Sequence, residues 1–137
     1  MGFEEFGIIS FTSTTKTAQF VDFLKENELR GTACKECGAK FFPPRSDCSV
    51  CLSDEMEWFP ISGEGTLLTY TKAMFAPAGF EKDAPYILGV AEFADGVKVF
   101  GRLDKSLTDD AVKPGMKVKA RVVNLEGDRL SYELTAA

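Results

Sequence analysis

Apolar positions in this chain repeat with two different periods. From about residue 18 to residue 28 the pattern is helical. Phe20, Phe23 and Leu24, with Val21 beside them, share one face, and Asp22, Lys25, Glu26 and Asn27 face water. The Ser/Thr run from Thr12 to Thr17 offers several N-caps, and Gly31 closes the segment. From Ile61 onward the period is two. Gly63-Glu64-Gly65 opens a predicted strand over residues 66–75, and a second and third follow at 86–93 and 97–103 across an Asp95-Gly96 hairpin turn. Pro77, Gly79 and Pro85 mark a long loop between the first two strands. Residues 105–112 are polar with room for one helical turn, and Pro114-Gly115 turns the chain. Residues 117–125 then alternate, with Val118, Ala120 and Val122 inward and Lys117, Lys119 and Arg121 outward. Glu126-Gly127-Asp128 turns into a last strand over 129–134. Five short strands with a break after the third suit a small OB-type barrel.

Between helix and barrel stand all four cysteines, as Cys34-Lys35-Glu36-Cys37 and Cys48-Ser49-Val50-Cys51. Each Cys-x-x-Cys can fold into a tight turn that aims two thiolates at one point, and two such turns complete a tetrahedral S4 site. Gly38 follows the first pair, where such a turn needs a residue tolerant of positive φ. Zinc is the first metal expected, and iron of the rubredoxin kind the second. Two disulfides are the competing reading, but Cys-x-x-Cys pairs without a signal peptide favour metal. The predicted fold class is therefore mainly β with a short N-terminal helix: a rubredoxin-like zinc ribbon followed by a five-stranded OB-type barrel. The expected divisions are 1–29, 30–60 and 61–137. With so few apolar residues, the ribbon should fold only with its metal. Its loop contains Lys40-Phe41-Phe42-Pro43-Pro44-Arg45, a stiff apolar ridge with a cation at each end. Phe41 and Phe42 either cover the thiolates or form a contact surface, and Trp58 and Phe59 are expected where ribbon meets barrel.

Composition then narrows the chemistry. The 137 residues include no histidine. With four thiols in a metal site, no nucleophilic cysteine and no imidazole base remain. A closed S4 site also leaves no coordination position for water, so the metal reads as structural and no catalytic residue is predicted. The net charge is −5, with a basic island in residues 30–51, where Arg30, Lys35, Lys40 and Arg45 outnumber Glu36 and Asp47. An acidic chain of this kind is a poor general nucleic-acid binder, although the island could meet one small anion. Lys98, Phe100 and Arg102 are the nearest approach to a stacking face for single strands. Lys117, Lys119 and Arg121 read as a solvated strand face, with a phosphate-bearing ligand as the other reading. No apolar run approaches the roughly 20 residues of a membrane span. The acidic start lacks the basic-then-apolar order of a secretion signal, so a cytoplasmic protein with no membrane contact is expected.

The order of these features resembles a known family of zinc-ribbon/OB-fold proteins, long catalogued as a domain of unknown function. The residues that carry the resemblance begin with Phe20, Phe23 and Leu24, then Cys34-x-x-Cys37-Gly38, Phe42-Pro43-Pro44-Arg45, Cys48-x-x-Cys51 and Trp58. Gly63-x-Gly65-x-Leu67, Pro85-Tyr86 and Gly115-Met116-x-Val118 continue it, so residues 18 to about 134 are covered. Ser49 stands where relatives commonly carry proline. The resemblance implies a non-catalytic subunit of an acyl-CoA complex. Such proteins partner thiolase-fold enzymes, those of acetoacetyl-CoA and of anaerobic aromatic degradation (benzoylsuccinyl-CoA) among them, and help form the CoA site. It implies a hetero-oligomer with structural zinc on Cys34, Cys37, Cys48 and Cys51, and an acyl-CoA ligand shared with the catalytic subunit. Lys40 and Arg45 are the residues expected to meet CoA phosphates, with Phe41 or Phe42 flanking the adenine or pantetheine arm. A single-stranded nucleic-acid module and a rubredoxin-like electron carrier are the alternative readings.

Overall fold

The helical period is realised as α1, Gln19–Lys25, in a computed structural model that describes residues 3–6, 15–125 and 129–137. Phe20, Val21 and Leu24 are buried, an inward stripe set by the 3.6-residue turn. Phe23 is half-buried and turns instead towards Trp58, with ring centroids 5.1 Å apart. The expected side-chain N-cap is absent at Ala18. Thr12, Ser13 and Thr14 lie outside the described residues, as does the predicted turn at 126–128, and Thr15 Oγ1 accepts from the Thr17 N–H at 3.0 Å. Asn27, at φ 65°, lies just beyond the helix end rather than Gly31; asparagine is among the few residues that visit the left-handed region cheaply.

Gly31 belongs to β1 (Arg30–Cys34), which pairs with β2 (Lys40–Phe41) and β3 (Met56–Pro60) in an antiparallel sheet of order β2-β1-β3. A Cβ at Gly31 would collide with the Phe41 carbonyl and lie 3.0 Å from the Phe59 ring. Close packing of the ribbon sheet, not chain reversal, therefore demands this glycine.

The barrel is closed by β4 (Gly65–Ala73), β5 (Tyr86–Glu92), β6 (Lys98–Leu103), β7 (Lys117–Leu125) and β8 (Arg129–Ala136), in the order β4-β5-β6-β8-β7. The alternation read from the sequence is kept: Leu67, Ala91, Val99, Leu103, Val118 and Leu134 fill the interior. Residues 104–111 make two successive turns, Leu107 N–H to the Asp104 carbonyl and Ala111 N–H to the Thr108 carbonyl, in place of a helical turn. Val112 beyond them is buried.

Among the described residues only β6 and β8 run parallel, and they meet at two positions, Arg102 with Glu133 and Leu103 with Leu134. Tyr132 covers this short seam. Its hydroxyl donates to the Phe100 carbonyl at 2.8 Å, and a Cβ at Gly101 would come within 3.0 Å of its ring. Burial pushes its phenol up to about 12. The same ring meets Phe42 at 5.3 Å and Phe20 at 6.2 Å, both near-perpendicular, and Phe20 meets Phe42 at 5.9 Å with the rings inclined at 64°. Edge-to-face packing of this kind adds to plain burial. Helix, ribbon loop and barrel are thus joined through three rings. Among the described residues no helix is long and apolar enough to cross a membrane.

Candidate functional site

The two Cys-x-x-Cys turns are built alike. In the first, the Gly38 N–H donates to the Cys34 carbonyl and the Cys34 N–H to the Ala39 carbonyl; in the second, Leu52 donates to Cys48 and Cys48 to Ser53. Gly38 and Leu52 hold the same left-handed place, at φ 77° and 66°. Backbone N–H groups of Cys37 and Cys51 point at the sulfurs of Cys34 and Cys48, each at 3.5 Å, and Val50 N–H reaches Cys48 Sγ at 3.3 Å.

The four sulfurs all lie within 4.8 Å of one another, with Cys34–Cys51 and Cys37–Cys48 at 3.5 Å. A disulfide needs about 2.05 Å, so these are not disulfides. A tetrahedron with metal–sulfur bonds of about 2.3 Å has edges of about 3.8 Å, so the donor set fits a closed zinc or iron site. Electrostatics agree. The Cys51 and Val50 N–H groups outweigh burial and bring the Cys48 thiol down to about 6. The Ser53 backbone favours the Cys51 thiolate, yet its sulfur contacts, Cys34 foremost, push it up to about 12. Four sulfurs in contact cannot all ionise without a cation among them, and a dication supplies that charge. Cys34 and Cys48 are buried while Cys37 and Cys51 are exposed, so one ligand of each turn anchors the site inside.

The ridge between the turns does not present its four named residues together. Phe42 faces inward, with its ring packed onto Phe20 and Tyr132. Lys40 is not a free cation: its Nζ pairs with Asp95 at 2.5 Å and lies over the Phe59 ring at 5.1 Å. That contact ties the ribbon to the β5–β6 hairpin, beside the expected Phe59 junction. Arg45 is exposed, with its guanidinium 5.1 Å above the Phe41 ring and its N–H donating to Thr32 Oγ1 at 2.8 Å. Arg45, exposed, and Phe41, half-buried, therefore form one prestacked pair at the end of the ridge. Of the other basic residues singled out, Arg121 is held by Glu133 and Asp104, and Arg102 by Asp83.

Sequence reasoning missed Asp83. It sits in the loop before β5, is 7% exposed, and accepts from Arg129 at 2.9 and 3.0 Å and from Arg102 at 3.0 Å. Arg129, first among these partners, and Arg102 hold its carboxyl down at about 2 despite burial. The loop is fastened to the barrel by this carboxylate. Nothing in a turn-rich stretch marks one aspartate as buried, because its partners Arg102 and Arg129 lie 19 and 46 residues away.

Sequence profiles of two domains match in tandem: the ChsH2 rubredoxin-like zinc ribbon domain at residues 21–57 and the ChsH2 C-terminal OB-fold domain at residues 58–123. A DUF35 domain-containing scaffold protein of Methanocaldococcus jannaschii is 37% identical over 103 residues, 73% of this chain and 72% of that protein. The chain belongs to the DUF35 family. The benzoylsuccinyl-CoA thiolase subunit BbsA of Thauera aromatica is 32% identical over 76 residues, 56% of this chain and 51% of that subunit. A chain solved as part of the Ltp2–ChsH2(DUF35) aldolase superposes with a TM-score of 0.75 at 20% identity, covering 92% of this chain and 98% of that one. That likeness establishes the shared fold. A zinc ribbon joined to an OB-type barrel is thus what this sequence encodes.

Proposed function

We propose that this DUF35 chain is a non-catalytic, zinc-containing subunit that binds a thiolase-fold enzyme and helps form its acyl-CoA site. The carrying observation is that all four cysteines converge in one S4 cluster in a chain without histidine. The acyl-transfer groups then belong to a partner, and the kinship with a protein named as a thiolase subunit supports that division of labour. In this reading the metal is structural zinc, and its role is to hold the ridge. Arg45, stacked on Phe41, meets a CoA phosphate while the aromatic face flanks the adenine or pantetheine. Lys40 adds positive charge from its place beside Asp95, and Phe42 anchors the ridge in the core. The complex is soluble and cytoplasmic, and the shared ligand is a 3-oxoacyl-CoA undergoing thiolysis or condensation.

Steady-state kinetics of the reconstituted complex test the ridge. The Arg45→Ala substitution is expected to raise KM for the acyl-CoA about tenfold, the loss of one charge-assisted phosphate contact, with kcat nearly unchanged. An unaltered KM removes Arg45 from the CoA site.

A further inference from the structure

The two Cys-x-x-Cys turns share one backbone shape but differ at one side chain. Where the first has Gly38 at φ 77°, the second has Leu52 at φ 66°. A leucine holds this left-handed conformation against the clash of its own Cβ, which glycine lacks. Among the described residues nothing in the chain compensates. Leu52 is 84% exposed, Val50 two residues before it is 70% exposed, and neither joins the hydrophobic core. Strained backbone that displays an uncovered apolar side chain points to a contact outside the chain.

Charge selects what makes that contact. The Cys48 N–H donates to the Ser53 carbonyl at 2.8 Å and closes the turn, so Asp47 and Asp54 flank its base, with Glu55 next to them. All three acids are exposed, and among the described residues none forms an ion pair. Asp47 accepts only from the neighbouring Ser46 hydroxyl, at 3.3 Å. No lysine or arginine lies within residues 46–57. In the first turn Lys35 and Glu36 cancel, and Arg45 lies over the Phe41 ring. Four thiolates around a dication add two further negative charges to this end of the ribbon. Resting on the thiolase-fold partnership, we propose that the Val50–Leu52 tip docks that partner, on an apolar patch rimmed by lysine or arginine. A second copy of the chain would bring the same acids against these. An anionic lipid surface or a nucleic acid is repelled in the same way. An apolar centre with charge pairs at its rim is ordinary interface anatomy.

Isothermal titration calorimetry of the zinc-loaded chain against a thiolase-fold subunit from the same source tests this, with light scattering on the free chain. The free chain is expected to be a monomer, and its binding to weaken as ionic strength rises. Leu52→Gly relieves the strained turn, so it should keep its zinc while weakening the complex about tenfold. Asp54→Lys combined with Glu55→Lys should also keep zinc, weaken the complex by about tenfold or more, and remove most of the salt dependence. Unchanged affinity in both variants overturns the docking tip and leaves the partnership standing. Loss of zinc in Leu52→Gly does the same, because the leucine then serves the ribbon's own fold. A loss confined to Leu52→Gly overturns the basic rim, and one confined to the charge reversal overturns the apolar centre. Failure of the unaltered chain to form any complex overturns both readings. A dimer of the free chain that Leu52→Gly dissociates overturns the choice of occupant.

Discussion

Asp83 carries more of the stability than its loop position suggests. Its carboxyl, held at about 2 by Arg129 and Arg102, lies well below an unfolded aspartate near 3.9. A depressed carboxyl stabilises the fold fully above the unfolded value and loses that effect as pH falls through the folded one. Chemical denaturation should therefore show about 2 kcal/mol disappearing between pH 4 and pH 2, and this loss should vanish in Asp83→Ala. At neutral pH the same variant is expected to cost about 3 kcal/mol, because Arg129, 8% exposed, loses the carboxylate to which both its terminal nitrogens donate. Phe42→Ala tests the inward end of the ridge. Losing a ring that meets both Phe20 and Tyr132 should lower stability by about 3 kcal/mol while the zinc content stays unchanged.

At the scale of elements, the strands and cysteine turns were legible because each rests on a short-range rule. Period-two alternation placed the barrel strands, and the paired Cys-x-x-Cys spacing placed the S4 cluster. What escaped depends on contacts distant in sequence. Gly31 was read as a helix stop because its need for a bare Cα comes from Phe41 and Phe59, in other strands. Phe23 was read as core because the helical period cannot know that Trp58 stands beside it. The ridge was read as free because Lys40 finds Asp95 from fifty-five residues away. Dependence on metal is the element-scale prediction. Within β1 and the turns the ribbon buries only the small side chains Thr32, Ala33, Cys34 and Cys48 among the described residues, so a chelator should remove zinc and, with it, circular-dichroism and exchange signals of β1–β3. The barrel's amide protection should persist. Purified protein should be colourless, as zinc in an S4 site is, where iron would colour it red.

The whole molecule is arranged around two surfaces of the ribbon, which the Phe20–Phe42–Tyr132 contact and the Lys40–Asp95 pair hold against the barrel. One carries Arg45 on Phe41, and the other is the Val50–Leu52 tip. In the function proposed above, the chain's effect on chemistry passes through another protein. Acyl-CoA thiolysis by a thiolase-fold subunit from the same source, titrated with the zinc-loaded chain, tests that claim most directly. The account expects no turnover by the chain alone, and a fall in the subunit's KM for acyl-CoA that saturates at a fixed stoichiometry. Turnover by the chain alone, or a KM indifferent to its addition, would contradict it.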